Sequence, residues 1–100
     1  MIKTLLTIAL MMFMNVNFTD AVRVDAKLTA QMEACAAMYK ISGDSFGVEL
    51  HEKAHTLAWS YYKEPIKLYE RSVFTDTYGI TLDENIERLD LQEFCDTSFK

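Results

Sequence analysis

The hydrophobic positions of this chain follow two patterns, an apolar run at the start and helical periodicity afterwards. From about residue 25 onward, apolar side chains recur every three or four positions, which indicates amphipathic helices packed on one another. No stretch alternates apolar and polar residues as a half-buried strand does. Three glycines and one proline in 100 residues are too few for the many turns of an all-β fold. The predicted fold class is therefore all-α, a small bundle of three to four helices.

Two helices are predicted in the first part of this bundle. The first fits Asp25 to Ile41, where alanines between the larger side chains allow close packing, and Ser42-Gly43 ends it. The second fits Ser45 to Lys63, with Ser45 as its N-cap. The second helix carries a core stripe made of Phe46, Leu50, Ala54, Leu57 and Tyr61. More than a quarter turn away lies what we call the second-helix stripe, made of Val48, His51, His55, Trp59 and Tyr62.

Further helical segments and a break are predicted in the second half. Pro65 starts or kinks a third segment, which ends near Tyr78-Gly79. Thr81-Leu82-Asp83-Glu84 has the spacing of a capping box, which predicts a new helix start. The apolar phase shifts from Leu91, so we expect a break near Asp90, with that residue capping a short last helix. The inward positions of the third segment would be Ile66, Tyr69 and Val73.

The apolar run at the N-terminus predicts a secretory signal. Lys3 and the α-amino group are positive, about ten largely apolar residues follow, and Thr19-Asp20-Ala21 offers small side chains at the −3 and −1 positions. We predict cleavage between Ala21 and Val22, which divides the chain into a signal peptide, 1–21, and a helical domain, 22–100. A transmembrane helix needs roughly 20 apolar residues, so no stable membrane anchor is expected after cleavage. A secreted or periplasmic location follows, and an uncleaved, membrane-tethered form is the alternative.

Two cysteines remain after this cleavage, Cys35 and Cys95. In an oxidising compartment each has only the other as an intramolecular partner, so we predict a disulfide that joins the first helix to the C-terminal segment. Two buried free thiols are the alternative. The helical domain that remains is small for a self-sufficient core, and a crosslink usually helps a domain of that size.

Negative charge is concentrated near the C-terminus. The chain has a formal net charge of −5, and the acidic excess lies within residues 76–100. This charge argues against nucleic acid and anionic membranes as partners. A basic protein partner would fit it, although a solvated acidic face is the commoner explanation.

One short motif suggests a metal-dependent reaction. His51-Glu52-Lys53-Ala54-His55 has the form H-E-x-x-H and resembles the zincin metalloprotease signature. The resemblance implies that the two imidazoles share a zinc ion and that Glu52 acts as the base on its bound water. Lys53 stands where that family usually has an uncharged residue. Ala58 and Tyr61 stand where the extended signature has Gly and His.

The same histidines also continue an aromatic row with Trp59 and Tyr62. Trp and Tyr are common anchors of protein interfaces, so His51, His55, Trp59 and Tyr62 are candidates for partner contact. Packing between helices of the bundle is another use of these side chains. The leading hypothesis is a secreted or periplasmic protein without a cofactor or enzymatic activity, which binds, inhibits or regulates another exported protein. The alternative is a zinc-dependent hydrolase with His51 and His55 as ligands and Glu52 as base.

Overall fold

The structure is a computed structural model that describes the backbone of residues 2–63 and 68–100 and the side chains of residues 20–63 and 68–100. Within these ranges the chain is all-helical, which confirms the predicted fold class. Its helices are α1 (Ile2–Ile41), α2 (Phe46–Tyr62), α3 (Leu68–Ile86) and α4 (Leu91–Phe99). The other three helices all contact α1, which makes it the centre of the bundle. Within the described part of the chain, no helix is both long and apolar enough to cross a membrane.

The first helix begins much earlier than predicted. A start at Asp25 is wrong, because α1 continues from Ile2 through the predicted cleavage point between Ala21 and Val22. No glycine or proline interrupts this stretch, and Val22, only 3 % exposed, packs in a small core with Ala26 and Phe74 of α3. This tertiary contact holds the helix together on the N-terminal side of Asp25. Of the predicted signal, residues 1–21, the side chains of residues 1–19 lie outside the described residues.

The end of α1 is where the sequence predicts it. Gly43 has φ +79°, and the N–H of Asp44 donates to the carbonyl of Tyr39 at 2.8 Å, which is the closing bond of a Schellman-type helix end. Ser45 occupies the N-cap position of α2 but makes no side-chain cap bond. Asp44 takes over that function, because its carboxylate accepts a bond from the N–H of Phe46 at 2.9 Å.

The main core lies between α1, α2 and α4. Its buried members are Met32, Cys35, Ala36, Tyr39, Leu50, Ala54 and Cys95. The Cys35–Cys95 disulfide is present and joins α1 to α4, as predicted. Close packing at the small residues of α1 is also confirmed, since a Cβ placed on Gly47 of α2 would lie 2.7 Å from the carbonyl oxygen of Ala36.

The third helix is longer than predicted. An end at Tyr78-Gly79 and a new start at Thr81 are both wrong, because α3 runs without a break to Ile86. Phe74 and Thr81 are buried on either side of Gly79, and one glycine inside a helix costs only about 1 kcal/mol, which this packing offsets. Tyr69 is 72 % exposed and not inward. Pro65 and Ile66 lie outside the described residues.

The predicted break near Asp90 is confirmed, and α4 begins at Leu91. Asp90 makes no side-chain cap bond, because its carboxylate accepts hydrogen bonds from the guanidinium of Arg88 at 2.9 and 3.1 Å. Polar contacts fix α4 and the residue after it against α1 and the turn that follows α1, in addition to the disulfide. The hydroxyl of Tyr39 donates to Asp96 at 2.5 Å, and Lys100 pairs with Asp44 at 2.8 Å.

Candidate functional site

The second-helix stripe faces outward from the bundle. Trp59 is 58 % exposed, Val48 is 52 % exposed, and His51, His55 and Tyr62 are also exposed. The buried contact of α2 with α1 runs through its core stripe, whose Leu50 and Ala54 are buried. The two apolar faces of this helix therefore have different roles, one inside the core and one at the surface.

Part of the second-helix stripe borders a cavity of about 250 Å³ between α1, α2 and α3. Helix α1 contributes Glu33, α2 contributes His51, His55 and Tyr62, and α3 contributes Phe74 and Tyr78. Pockets for drug-sized ligands span about 300–1,000 Å³, so this one has room for a single side chain or a small molecule. Val48 and Trp59 lie outside it, on the surface of α2.

A carboxylate and an imidazole meet at this cavity. Nδ1 of His51 lies 3.0 Å from Oε1 and 3.2 Å from Oε2 of Glu33. The ring of His55 lies one helical turn further along, with its centroid 6.3 Å from that of His51 and an interplanar angle of 29°. The sequence analysis missed Glu33. The sequence pattern that could have found Glu33 is its spacing. It lies four residues after Thr29 and seven after Ala26, which places an acid on the inward face of α1.

Aromatic rings form the wall that α3 contributes. The rings of Phe74 and Tyr78 are nearly parallel at 9°, with centroids 6.2 Å apart. Tyr62 meets Phe74 edge-on at 6.0 Å, and its hydroxyl is 2.6 Å from that of Thr75. Burial raises the pKa of Tyr78, and the negative charge of Glu33 raises it further.

The H-E-x-x-H residues do not share one site. His51 and His55 line the cavity, whereas Glu52 lines a separate depression together with Glu49, Lys53 and Thr56. Among the residues that the structure describes, no group of three or more His, Cys, Asp or Glu side chains is arranged to hold a metal ion. The arrangement therefore brings the two candidate ligands together beside Glu33 and leaves the candidate base in another groove.

The other predicted site residues have simpler placements. Cys35 and Cys95 are bonded to each other in the core. Ala21 and Val22 lie within α1, with Ala21 exposed and Val22 buried. Comparison with known proteins adds no family to these observations, since no family model, no curated protein and no solved structure matches this chain.

Proposed function

We propose that this protein is a small secreted or periplasmic interaction module, which binds another exported protein through the second-helix stripe. The observation that carries this proposal is the exposure of Trp59, 58 % of which faces solvent in the last turn of α2. Trp residues bury a large area when they are covered and are enriched among the residues that dominate binding energy. Val48 and Tyr62 extend the same exposed face.

The core packing beneath the second-helix stripe favours tight binding, because it holds α2 in place. Leu50 and Ala54 anchor the opposite side of α2 in the core, and the Cys35–Cys95 disulfide closes the same core. A surface that is ordered before binding loses little conformational entropy when a partner covers it. Disulfides persist in oxidising compartments, which supports an exported location, and the net charge of −5 favours a protein partner over nucleic acid.

The test is capture of the partner from the compartment in which the protein resides, followed by affinity measurement with the purified partner. Trp59→Ala should weaken binding at least tenfold, because truncated interface anchors commonly cost about 2 kcal/mol or more. Tyr69→Ala is the matched control, since Tyr69 is an aromatic residue on α3 and is 72 % exposed. It should bind as the wild type does. Equal affinities for wild type and Trp59→Ala would refute the proposed contact surface.

A zinc-dependent hydrolase is the second candidate, and one contact favours it. Zinc-binding imidazoles commonly donate their second ring nitrogen to a carboxylate, and Glu33 lies in that position beside His51. If the purified protein retains one zinc per chain and hydrolyses a substrate in a manner that Glu52→Gln abolishes, the hydrolase replaces the interaction module. Under our proposal Glu52→Gln leaves partner binding unchanged.

A further inference from the structure

The packed part of the bundle begins at the residue that follows the predicted signal. Val22 is the first buried side chain in the described part of α1, with 3 % exposure, whereas Asp20 and Ala21 before it are exposed. The core that Val22 enters contains Ala26 of α1 and Phe74 of α3, and Phe74 is 1 % exposed. The bond predicted to be cleaved, between Ala21 and Val22, therefore lies directly at the edge of this core.

The same bond lies inside a continuous helix. Because α1 extends over it in both directions, the carbonyl group of Ala21 accepts a helical hydrogen bond from the N–H four residues later. A protease binds its substrate as an extended chain, whose backbone pairs with the enzyme. Cleavage therefore requires that α1 unwind around this bond and that Val22 leave Phe74. Burial and backbone hydrogen bonding of a segment decide whether it can be cut.

Helix α2 also holds this turn of α1 in place. The hydroxyl of Tyr61 donates a hydrogen bond to the carboxylate of Asp25, three residues after Val22. The ring of Tyr61 stacks on that of Phe74, with the centroids 4.7 Å apart, and both rings belong to the core that contains Val22. Three helices therefore meet next to the bond, and its opening takes more than the fraying of a free helix end.

We propose that docking of α3 on α1 closes this processing site, so that a chain is either cleaved before its bundle forms or keeps its signal. Hydrolysis of the bond by a signal peptidase adds one water molecule and leaves a carboxylate on Ala21 and an ammonium group on Val22. It removes no buried side chain among those that the structure describes, so the cleaved chain folds with the same core.

Folding and cleavage thus compete for the same segment of the chain. A chain that folds first keeps its apolar N-terminal run and stays tethered to the membrane, whereas a chain that is cleaved first is released. The two rates divide the protein between these forms. Cleavage itself is predicted from the sequence, and closure of the site is independent of the second-helix stripe.

The test compares two substrates of a purified type I signal peptidase in the same detergent micelles. One is the full chain, folded and oxidised, and the other is a synthetic peptide of residues 1–30, which contains the bond without α3. Mass spectrometry measures how fast chains that begin at Val22 appear. We expect the folded chain to be cleaved at least tenfold more slowly, because cleavage follows the population of the opened state. Equal rates would overturn the proposal, and so would a peptide that is not cut between Ala21 and Val22.

Two variants separate the contact at Val22 from the stability of the whole bundle. Phe74→Ala removes the side chain that covers Val22 and should speed cleavage of the folded chain at least tenfold. Gly47→Ala is the matched control, because it disturbs the contact of α2 with Ala36 at the other end of the packed part of α1. It should leave the cleavage rate nearly unchanged. Equal acceleration by both variants would overturn the proposal, because protection would then depend on global unfolding.

Hydrogen exchange of the wild-type chain decides the question if Phe74→Ala does not fold. The amide hydrogens of residues 22–24 should exchange about a hundredfold more slowly in the folded full chain than in an unstructured chain, because the docked α3 holds this turn closed. Exchange at the rate of an unstructured chain would show that the site is open in the folded protein, which would contradict the proposal.

Discussion

Two Gly→Ala substitutions, at Gly47 and Gly79, should change stability in opposite directions although both residues lie in helices. By intrinsic propensity alone, alanine is favoured over glycine inside a helix by about 1 kcal/mol. At Gly79 in α3, a Cβ would meet no atom within 4 Å. Gly79→Ala should therefore raise the free energy of unfolding by about 0.5–1 kcal/mol.

The surroundings of Gly47 reverse the sign of the expected change in stability. A Cβ there would lie 2.7 Å from the carbonyl oxygen of Ala36 and 2.9 Å from the backbone nitrogen of Lys40. Both are backbone atoms of α1, so neither can rotate away, and relief requires that α2 move off α1. Overpacking of this kind costs about 1–3 kcal/mol. After subtraction of the propensity gain of about 1 kcal/mol, Gly47→Ala should lower the free energy of unfolding by up to about 2 kcal/mol.

The assay is urea and thermal unfolding of the oxidised protein, followed by far-UV circular dichroism. A difference of about 2 kcal/mol between the variants corresponds to melting temperatures about 8–16 °C apart for a domain of this size. Gly47→Ala should melt below the wild type and Gly79→Ala above it. If both variants melt above the wild type by similar amounts, the close approach of α2 to α1 does not exist in solution.

Three further predictions concern the disulfide, alkaline stability and the mature N-terminus. Cys35→Ser should lower the free energy of unfolding by about 4 kcal/mol, given the separation of 60 residues between the cysteines. Cys95→Ser and the double variant should lower it by no more than that, because the stabilisation belongs to the pair. Equal melting temperatures for wild type and Cys35→Ser under oxidising conditions would contradict this. Burial and the bond to Asp96 raise the pKa of Tyr39 from 10.0 to about 12, so stability should fall as pH rises from 10 to 12, where the unfolded state loses this proton and the folded state keeps it. Tyr39→Phe should remove that part of the pH dependence, and an unchanged alkaline titration would refute it. Intact mass of exported protein should show a chain that begins at Val22 and is two hydrogens lighter than its reduced form; retained residues 1–20 would rule out cleavage.

The sequence by itself determined the features that depend on neighbouring residues. Steps of three and four separate the two faces of α2, because 3.6 residues per turn bring such positions together whatever surrounds the helix. Gly43 ends α1 because the left-handed conformation of this turn favours glycine. The pairing of Cys35 with Cys95 followed from counting, since the chain has no third cysteine. The signal at residues 1–21 and the function remain predictions from the sequence.

The tertiary structure decided the features whose local sequence signals were weak or competed with packing. Capping-box spacing at Thr81 predicts a helix start, yet the contacts of Phe74 and Thr81 with the bundle keep α3 continuous through Gly79. Ser45 is a suitable cap by residue type, but Asp44 makes the bond to the first turn of α2.

The candidate site shows most clearly that local sequence signals do not predict contacts between helices. Glu33 and His51 are 18 residues apart in the chain, and no local period relates a residue of α1 to a residue of α2. Their contact depends on how closely the two helices approach, which the missing side chain of Gly47 permits at the backbone of Ala36. Spacing within one helix could therefore predict the row from Val48 to Tyr62, whereas the exposure of that row and the cavity beside it depend on how three helices pack.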